Sequence, residues 1–436
     1  MLAFSRRTYL NNIKTLWIKK VFLRNAILLF ILSVTAITIF KNCKVTNLPL
    51  GTTQESGYKR TFKETSRQGE DEDTATCNSY VEKLVQLRLQ QVREFCAKNI
   101  KVDIWENLKP TGEVWSSMKH DIHYCVTPKI GCTYWKQVMR FIAGDYNTNL
   151  NISKPGDIDR AYVHNWNLKY IRHVGLASAM ARGEISKGRS FMFTREPYSR
   201  LWSAYIDKFL LPDFWIWDAH AVVNKIRQNA TDEQKLCAND VTFAEFLQYI
   251  VASYPRNLNK HWQPVYKICD PCLVAYDVIG KQETFANDSH YILQKFGLGN
   301  LIRMSGSKPS RAIEEMTMLV KYNFDLEGAL HKGCFDKEDV AMRLWKAFQY
   351  NGYILRSIDI PIKSMLSDNF TKYPTEVFLK HALWTLQYLH DQSTDISNQK
   401  RKMMLEAYKG VPVELVKSIK EVYKFDFELF GYDKNS

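Results

Sequence analysis

The sequence predicts an α/β fold, a central parallel sheet flanked by helices, preceded by a transmembrane helix and a stem. Two short apolar runs, Ile122 to Thr127 and Ser190 to Thr194, each pass through a Pro-containing turn into an apolar pattern of helical spacing. Repeated strand-turn-helix units with apolar strands are the mark of a parallel sheet covered by helices. The C-terminal half reads as mostly helical, for instance over Thr242 to Ala252, Thr375 to His390 and Val413 to Tyr423. An uncharged stretch near the N-terminus stands apart from all of these.

That stretch, Ala26 to Phe40, follows a basic flank. With Asn25 and the preceding Val21, Phe22 and Leu23 it reaches a spanning length, Arg24 snorkelling to the interface. A cleaved signal peptide is the alternative. The 24 residues ahead of the run and the lack of a small-x-small site behind it favour an uncleaved anchor. Six positive charges before the run against two close behind it place the N-terminus in the cytosol. The chain thus divides into a cytosolic tail (1–24), a signal anchor (25–40), a luminal stem (41–116) and a luminal domain (117–436).

The formal charge of +14 is partly the anchor's flank, because eight Lys and Arg residues precede the first acidic residue, Glu55. Without them 52 basic residues face 46 acidic ones. That mild excess suits a polyanionic ligand and does not point to nucleic acid. Residues 44 to 76 are polar and stem-like. Val81, Leu84, Val85, Leu89, Val92, Phe95 and Cys96 then form an apolar stripe at helical spacing, fit to pack on the domain or to pair two copies as a homodimer. Eight of nine cysteines, Cys77 to Cys334, lie well beyond the anchor on the luminal side, where disulfides persist. Sequons at Asn151, Asn229, Asn287 and Asn369 are candidate glycosylation sites on the same side.

The first strand-turn-helix unit contains T-P-K-I-G-C-T-Y-W-K, Thr127 to Lys136. A helix N-terminus offers unpaired N–H groups and a positive dipole end, which together cradle a phosphate. Gly131 lets the backbone approach the anion, Lys129 adds a mobile charge, and Cys132 or Thr133 presents a side-chain donor. The spacing is not that of a Walker loop. Arg195 opens the second turn, 66 residues after Lys129, in R-E-P-Y-S-R-L-W-S-A-Y-I-D-K-F. Its planar donor fork suits a second phosphate, with the Ser203 hydroxyl eight residues on.

These motifs resemble the Golgi carbohydrate sulfotransferase family, which includes the chondroitin and dermatan 4-O-sulfotransferases, the N-acetylgalactosamine 4-O-sulfotransferases and the glucuronic acid 3-O-sulfotransferase. Y-C-x-x-P-K-x-x-C-T-x-W-K matches at Tyr124 to Lys136, and R-E-P-x-x-R-L-x-S-A-Y-x-x-K-F at Arg195 to Phe209. A third block matches at His261 to Thr284 and a closing D-F-E-L-F-G-Y at Asp426 to Tyr432. Tyr198 stands where the family commonly has Phe. The loop 215–237 and the region 302–368 find no counterpart. The resemblance implies a P-loop-like fold binding 3′-phosphoadenosine 5′-phosphosulfate (PAPS) in the Golgi lumen. Pro128, Lys129, Ile130, Gly131, Cys132, Thr133, Tyr134 and Trp135 would line the phosphosulfate end, and Arg195 and Ser203 the 3′-phosphate. It also implies a glycan acceptor, with the 4-hydroxyl of N-acetylgalactosamine first and the 3-hydroxyl of glucuronic acid second.

Sulfuryl transfer, like phosphoryl transfer, rests on positioning and on neutralising the departing oxygens. Lys129 suits that role, and the chemistry requires no metal. A base must take the hydroxyl proton, and His261 is the candidate, with His164, His173, Glu283 and His123 as rivals. Lys136, Arg200 and Lys208 either add to the nucleotide's field or are solvated helix charges. Cys269 and Cys272 read as structural disulfide cysteines with unassigned partners. Two other readings compete: a metal-dependent glycosyltransferase, through Asp71-Glu72-Asp73 or Asp157-Ile158-Asp159, and a non-catalytic glycan-binding protein.

Overall fold

The computed structural model describes residues 67–99, 110–256, 258–302, 308–326, 333–392, 396 and 398–435. The expected anchor lies outside them, and no helix among the described residues is long and apolar enough to cross a membrane. The chain forms two units, Met1–Lys83 and Leu84–Ser436.

The second unit is built on five strands, β1 (Glu113–Ser117), β2 (Ile122–Cys125), β3 (Ile171–Gly175), β4 (Arg189–Thr194) and β5 (Val278–Lys281), in the order β3-β1-β2-β4-β5. The expected all-parallel sheet is corrected to a mixed one. β2, β4 and β5 are parallel, whereas β1 runs antiparallel to both β2 and β3. β1 and β2 are joined by a tight connection across 118–121, and only an antiparallel pair can be closed so briefly. β1 also begins ahead of Ser117, the expected start of the domain. Residues 273–276 form an irregular turn that leads into β5. All four residues of β2 and five of the six in β4 are buried, as befits strands covered on both faces.

The principal helices are α1 (Arg67–Asn99), α2 (Cys132–Ala143), α3 (Pro197–Tyr205), α4 (Phe243–Ser253), α5 (Phe285–Lys295), α6 (Lys308–Asp325), α7 (Lys337–Asn351), α8 (Pro374–Asp391), α9 (Gln399–Lys409) and α10 (Val413–Val422). In the C-terminal half α6 packs along α8, α7 on α9, and α4 against α10. Phe324, Trp345, Phe348 and Phe378 meet at their centre. The part of α1 beyond Leu84 packs on the domain. Arg88 donates to Asp288 (2.7 Å), Thr284 (3.0 Å) and the Ile279 carbonyl, and Phe95 meets Phe425 edge to face.

Disulfides join Cys96 to Cys272, Cys125 to Cys269 and Cys237 to Cys334. Both cysteines of the C-x-x-C pair are therefore structural, and each holds a different element against the 269–272 turn. Loops of 97 to 176 residues are closed in this way, which constrains the unfolded chain by about 4 to 5 kcal/mol per bridge in the chain-entropy view.

Candidate functional site

The first turn leaves β2 through Thr127, whose hydroxyl donates to the Phe193 carbonyl (2.9 Å) and so joins the ends of β2 and β4. Lys129 then takes φ +67° and Gly131 φ +72°. A lysine in the left-handed region is strained, and such strain concentrates where a loop serves a ligand. Gly131 is needed for its backbone angle and for a neighbour the sequence did not announce: a Cβ there would lie 2.3 Å from the Phe285 ring. α2 starts at Cys132 with no side chain among the described residues capping it, so its leading N–H groups are left for another acceptor. Gly144 closes its far end in the left-handed conformation.

The predicted loop residues divide by side chain. Ile130 and Trp135 are fully buried, Trp135 against Phe191 and Phe193, so they can offer only backbone to a ligand. Cys132 is an unpaired, half-buried thiol. Thr133 Oγ1 lies 3.2 Å from His164 Nε2, and the Tyr134 hydroxyl is buried without a hydrogen-bond partner among the described residues.

The second turn meets the first directly. Arg195 Nη1 donates to the Lys129 carbonyl at 2.9 Å, while its Nε and Nη2 both reach Ser199 Oγ, at 3.0 and 2.8 Å. Ser199, not Ser203, is the hydroxyl on Arg195; Ser203 lies one turn further along the same face of α3. Among the described residues these three bonds leave two of the five guanidinium N–H groups for an incoming anion. Glu196 caps α3, accepting from the Tyr198 and Ser199 amides, so this helix end is closed, unlike that of α2. The Tyr198 hydroxyl donates to the Lys434 carbonyl (3.3 Å), away from the turn.

Lys136, Arg200 and Lys208 are buried, not solvated. Lys136 lies 4.6 Å over the Trp115 ring. Arg200 donates to the carbonyls of Pro128 (3.2 Å), Gln263 (2.6 Å) and Lys260 (2.8 Å), stapling the first turn to the segment bearing His261. Arg200→Ala would strand three carbonyls. We expect a loss of about 2 to 4 kcal/mol in urea unfolding, with activity falling in the fraction that remains folded.

A charge cluster missed by the sequence reading surrounds Lys129. α3 continues into a π-helical turn, Ile206–Leu210, which swings Asp207 onto Lys129 Nζ at 2.7 Å. Lys208 (3.2 Å) and Arg160 (3.7 Å) also face Asp207, and Lys208 pairs with Asp213. Burial alone would raise the Asp207 carboxyl, but Lys129, Lys208 and Arg160 outweigh it and hold the group well below the usual carboxylate range. The cluster carries more positive than negative charge and therefore attracts anions.

The candidate bases separate clearly. His261 lies edge-on to Phe214 at 4.9 Å, beside the cluster. Burial, then Lys208 and Lys129, push its imidazole well below the ordinary value and keep it neutral. His164 sits exposed at the Thr133 hydroxyl. His123 is buried in β2, bonded to Ser116 (2.8 Å) and Asp121 (3.2 Å), and His173 pairs with Glu113 on the β1–β3 side of the sheet. Glu283 accepts from the Glu196 amide and the Tyr432 hydroxyl. Asp157 and Asp159 are occupied with amides of their own loop.

Comparison with known proteins agrees with this geometry. A model described as the sulfotransferase family matches residues 113–328, from β1 to just past α6. Carbohydrate sulfotransferase 11 of Mus musculus is 31% identical over 255 residues, covering 56% of this chain and 71% of that protein. Carbohydrate sulfotransferase 14 of Danio rerio is 30% identical over 227 residues (50% and 59%), and carbohydrate sulfotransferase 9 of Homo sapiens 31% over 231 residues (52% and 51%). No solved structure matches. On this likeness, spanning both turns and the cluster between them, the chain belongs to the carbohydrate sulfotransferases of the sulfotransferase family and is a sulfotransferase enzyme.

Proposed function

We propose that the chain transfers a sulfuryl group from PAPS to the 4-hydroxyl of N-acetylgalactosamine in a chondroitin, dermatan or N-glycan chain, in the Golgi lumen, anchored through 25–40. The observation that carries this reading is the bond from Arg195 to the Lys129 carbonyl, which makes one site of the two turns. Family membership implies PAPS as donor, a nucleotide with two separate anionic ends. The donor set fits it: uncapped α2 amides with Lys129 at one end, and Arg195 with Ser199 at the other.

PAPS supplies the activated sulfuryl group. Lys129 would neutralise charge on the bridging oxygen as it departs, exchanging Asp207 for the donor, and Lys208 and Arg160 would hold Asp207 meanwhile. His261, neutral beside these cations, would accept the hydroxyl proton. The acceptor is tested by incubating the luminal domain with PAPS and desulfated chondroitin, dermatan, N-glycans and glucuronic acid-terminated glycans, then analysing disaccharides. Label at the 4-hydroxyl of N-acetylgalactosamine supports the reading; label only on the 3-hydroxyl of glucuronic acid replaces it.

Luminal passage makes a second prediction. Asn151, Asn229 and Asn369 are exposed in loops or turns, whereas Asn287 lies in the first turn of α5 with Asp288 and Ser289 buried beside it. A sequon sealed into a helix presents no extended tripeptide for modification. Expression in secretory cells should give a gel shift that N-glycosidase removes, reduced by Asn151→Gln, Asn229→Gln or Asn369→Gln and unchanged by Asn287→Gln.

A further inference from the structure

The His261 ring is held by a chain of groups that reaches into 215–237, a stretch without counterpart in the motifs that is largely helical in place of the expected loop and opens on the π-helical turn Trp215–Ala219. Asn259 Nδ2 donates to Asp218 Oδ2 at 3.2 Å. Asn259 Oδ1 accepts from the His261 backbone N–H at 3.0 Å and faces His261 Nδ1 at 2.8 Å. Donor logic sets every proton in this chain. The His261 backbone N–H can only donate, so the Asn259 amide must turn its oxygen to His261 and its NH2 to Asp218, whose carboxyl is pushed up to about 6 by burial. An amide oxygen only accepts, so Nδ1 must carry the hydrogen. The neutral ring then has its lone pair on Nε2. Nε2 makes no hydrogen bond to a described residue, and the ring is only partly buried, which leaves that nitrogen for the acceptor.

We propose that Asp218 and Asn259 are positioning residues that lock His261 in the Nδ1–H tautomer and so present Nε2 to the acceptor hydroxyl. The proposal rests on the reading of His261 as the base. In the transfer step the hydroxyl oxygen bonds to sulfur as the bond from sulfur to the bridging phosphate oxygen breaks. The hydroxyl proton passes to Nε2, and the bridging electron pair leaves on 3′-phosphoadenosine 5′-phosphate. The imidazolium so formed donates through Nδ1–H to Asn259, whose amide is polarised by Asp218. Release of the Nε2 proton to water restores the ring. Phe214, packed edge-on against the imidazole, limits its rotation.

The proposal predicts a reciprocal exchange. Asp218→Asn puts an amide opposite an amide, frees Asn259 to flip, and should lower kcat by about tenfold to a hundredfold while KM for PAPS and glycan stays within about twofold. The double variant Asp218→Asn with Asn259→Asp restores a carboxylate acceptor for Nδ1–H and should return kcat to within about threefold of the parent. Nitrogen-15 spectra of histidine-labelled protein should show His261 protonated at Nδ1 in the parent and the double variant, and a tautomer mixture in Asp218→Asn. A merely structural contact would move the unfolding midpoint without moving the tautomer. An unchanged kcat and tautomer in Asp218→Asn, or a double variant no better than the single one, overturns the proposal. His261→Ala separates it from the reading beneath: full activity there removes the base itself. Loss of activity there, with Asp218→Asn unaffected, removes only the positioning roles.

Discussion

Lys129→Ala should abolish sulfuryl transfer, lowering kcat by about 10³-fold or more, and should leave the domain folded. A cation aimed at charge that develops on a departing oxygen contributes most of its effect in the transition state, so kcat falls rather than KM rising. The fold should survive because Asp207 does not become an isolated buried anion: Lys208 lies 3.2 Å and Arg160 3.7 Å away. Alanine inherits the left-handed angle of position 129 that lysine already bears, so the strain there is essentially unchanged. Steady-state kinetics alongside circular dichroism checks both halves. Near-normal kcat would remove Lys129 from the chemistry, and an unfolded variant would show that the pair with Asp207 holds the fold.

Arg195→Ala should act differently, because the residue has two duties. It would grip the 3′-phosphate with its spare N–H groups, and it already tethers the Lys129 carbonyl and Ser199. Losing a charge-assisted fork costs about 1.5 to 3 kcal/mol. Loosening the first turn then lowers kcat as well. The expected result is a KM for PAPS raised about tenfold to a hundredfold, together with a fall in kcat. Arg195→Lys should not rescue it, since a single ammonium cannot reach two Ser199-side contacts and a carbonyl at once. Equal kinetics for Arg195→Lys and the parent would mean that the fork is not used.

Residue type at strand ends made the two turns legible. Lys129 and Gly131, and then Arg195, each follow an apolar run, and chemistry of that kind survives without coordinates. Asp207 did not, because its approach to Lys129 depends on a π-helical turn that no helical periodicity announces. The bond from Arg195 to Ser199, one turn before Ser203 on the same face of α3, likewise depends on local geometry. For Arg200 the sequence leaves open a part in the nucleotide's field or a solvated charge, whereas it lies buried with three carbonyl acceptors that are distant in sequence. β1 and β3, five residues each, are too short and too mixed in polarity to announce an antiparallel edge. The disulfide partners of Cys269 and Cys272 lie 144 and 176 residues away, and only the fold selects them. Asp218 lies in the π-helical turn Trp215–Ala219, in a stretch without motif, and its link to His261 is visible only through Asn259.

Everything turns on one nucleotide being held at both ends by the two turns. Isothermal titration of the luminal domain with 3′-phosphoadenosine 5′-phosphate and with adenosine 5′-monophosphate, for the parent and Arg195→Ala, tests this most directly. The account predicts a single site preferring the bisphosphate by about 100-fold, or about 2.7 kcal/mol, a preference that Arg195→Ala erases. Equal affinity of the parent for the two nucleotides, or a preference that survives Arg195→Ala, would contradict it.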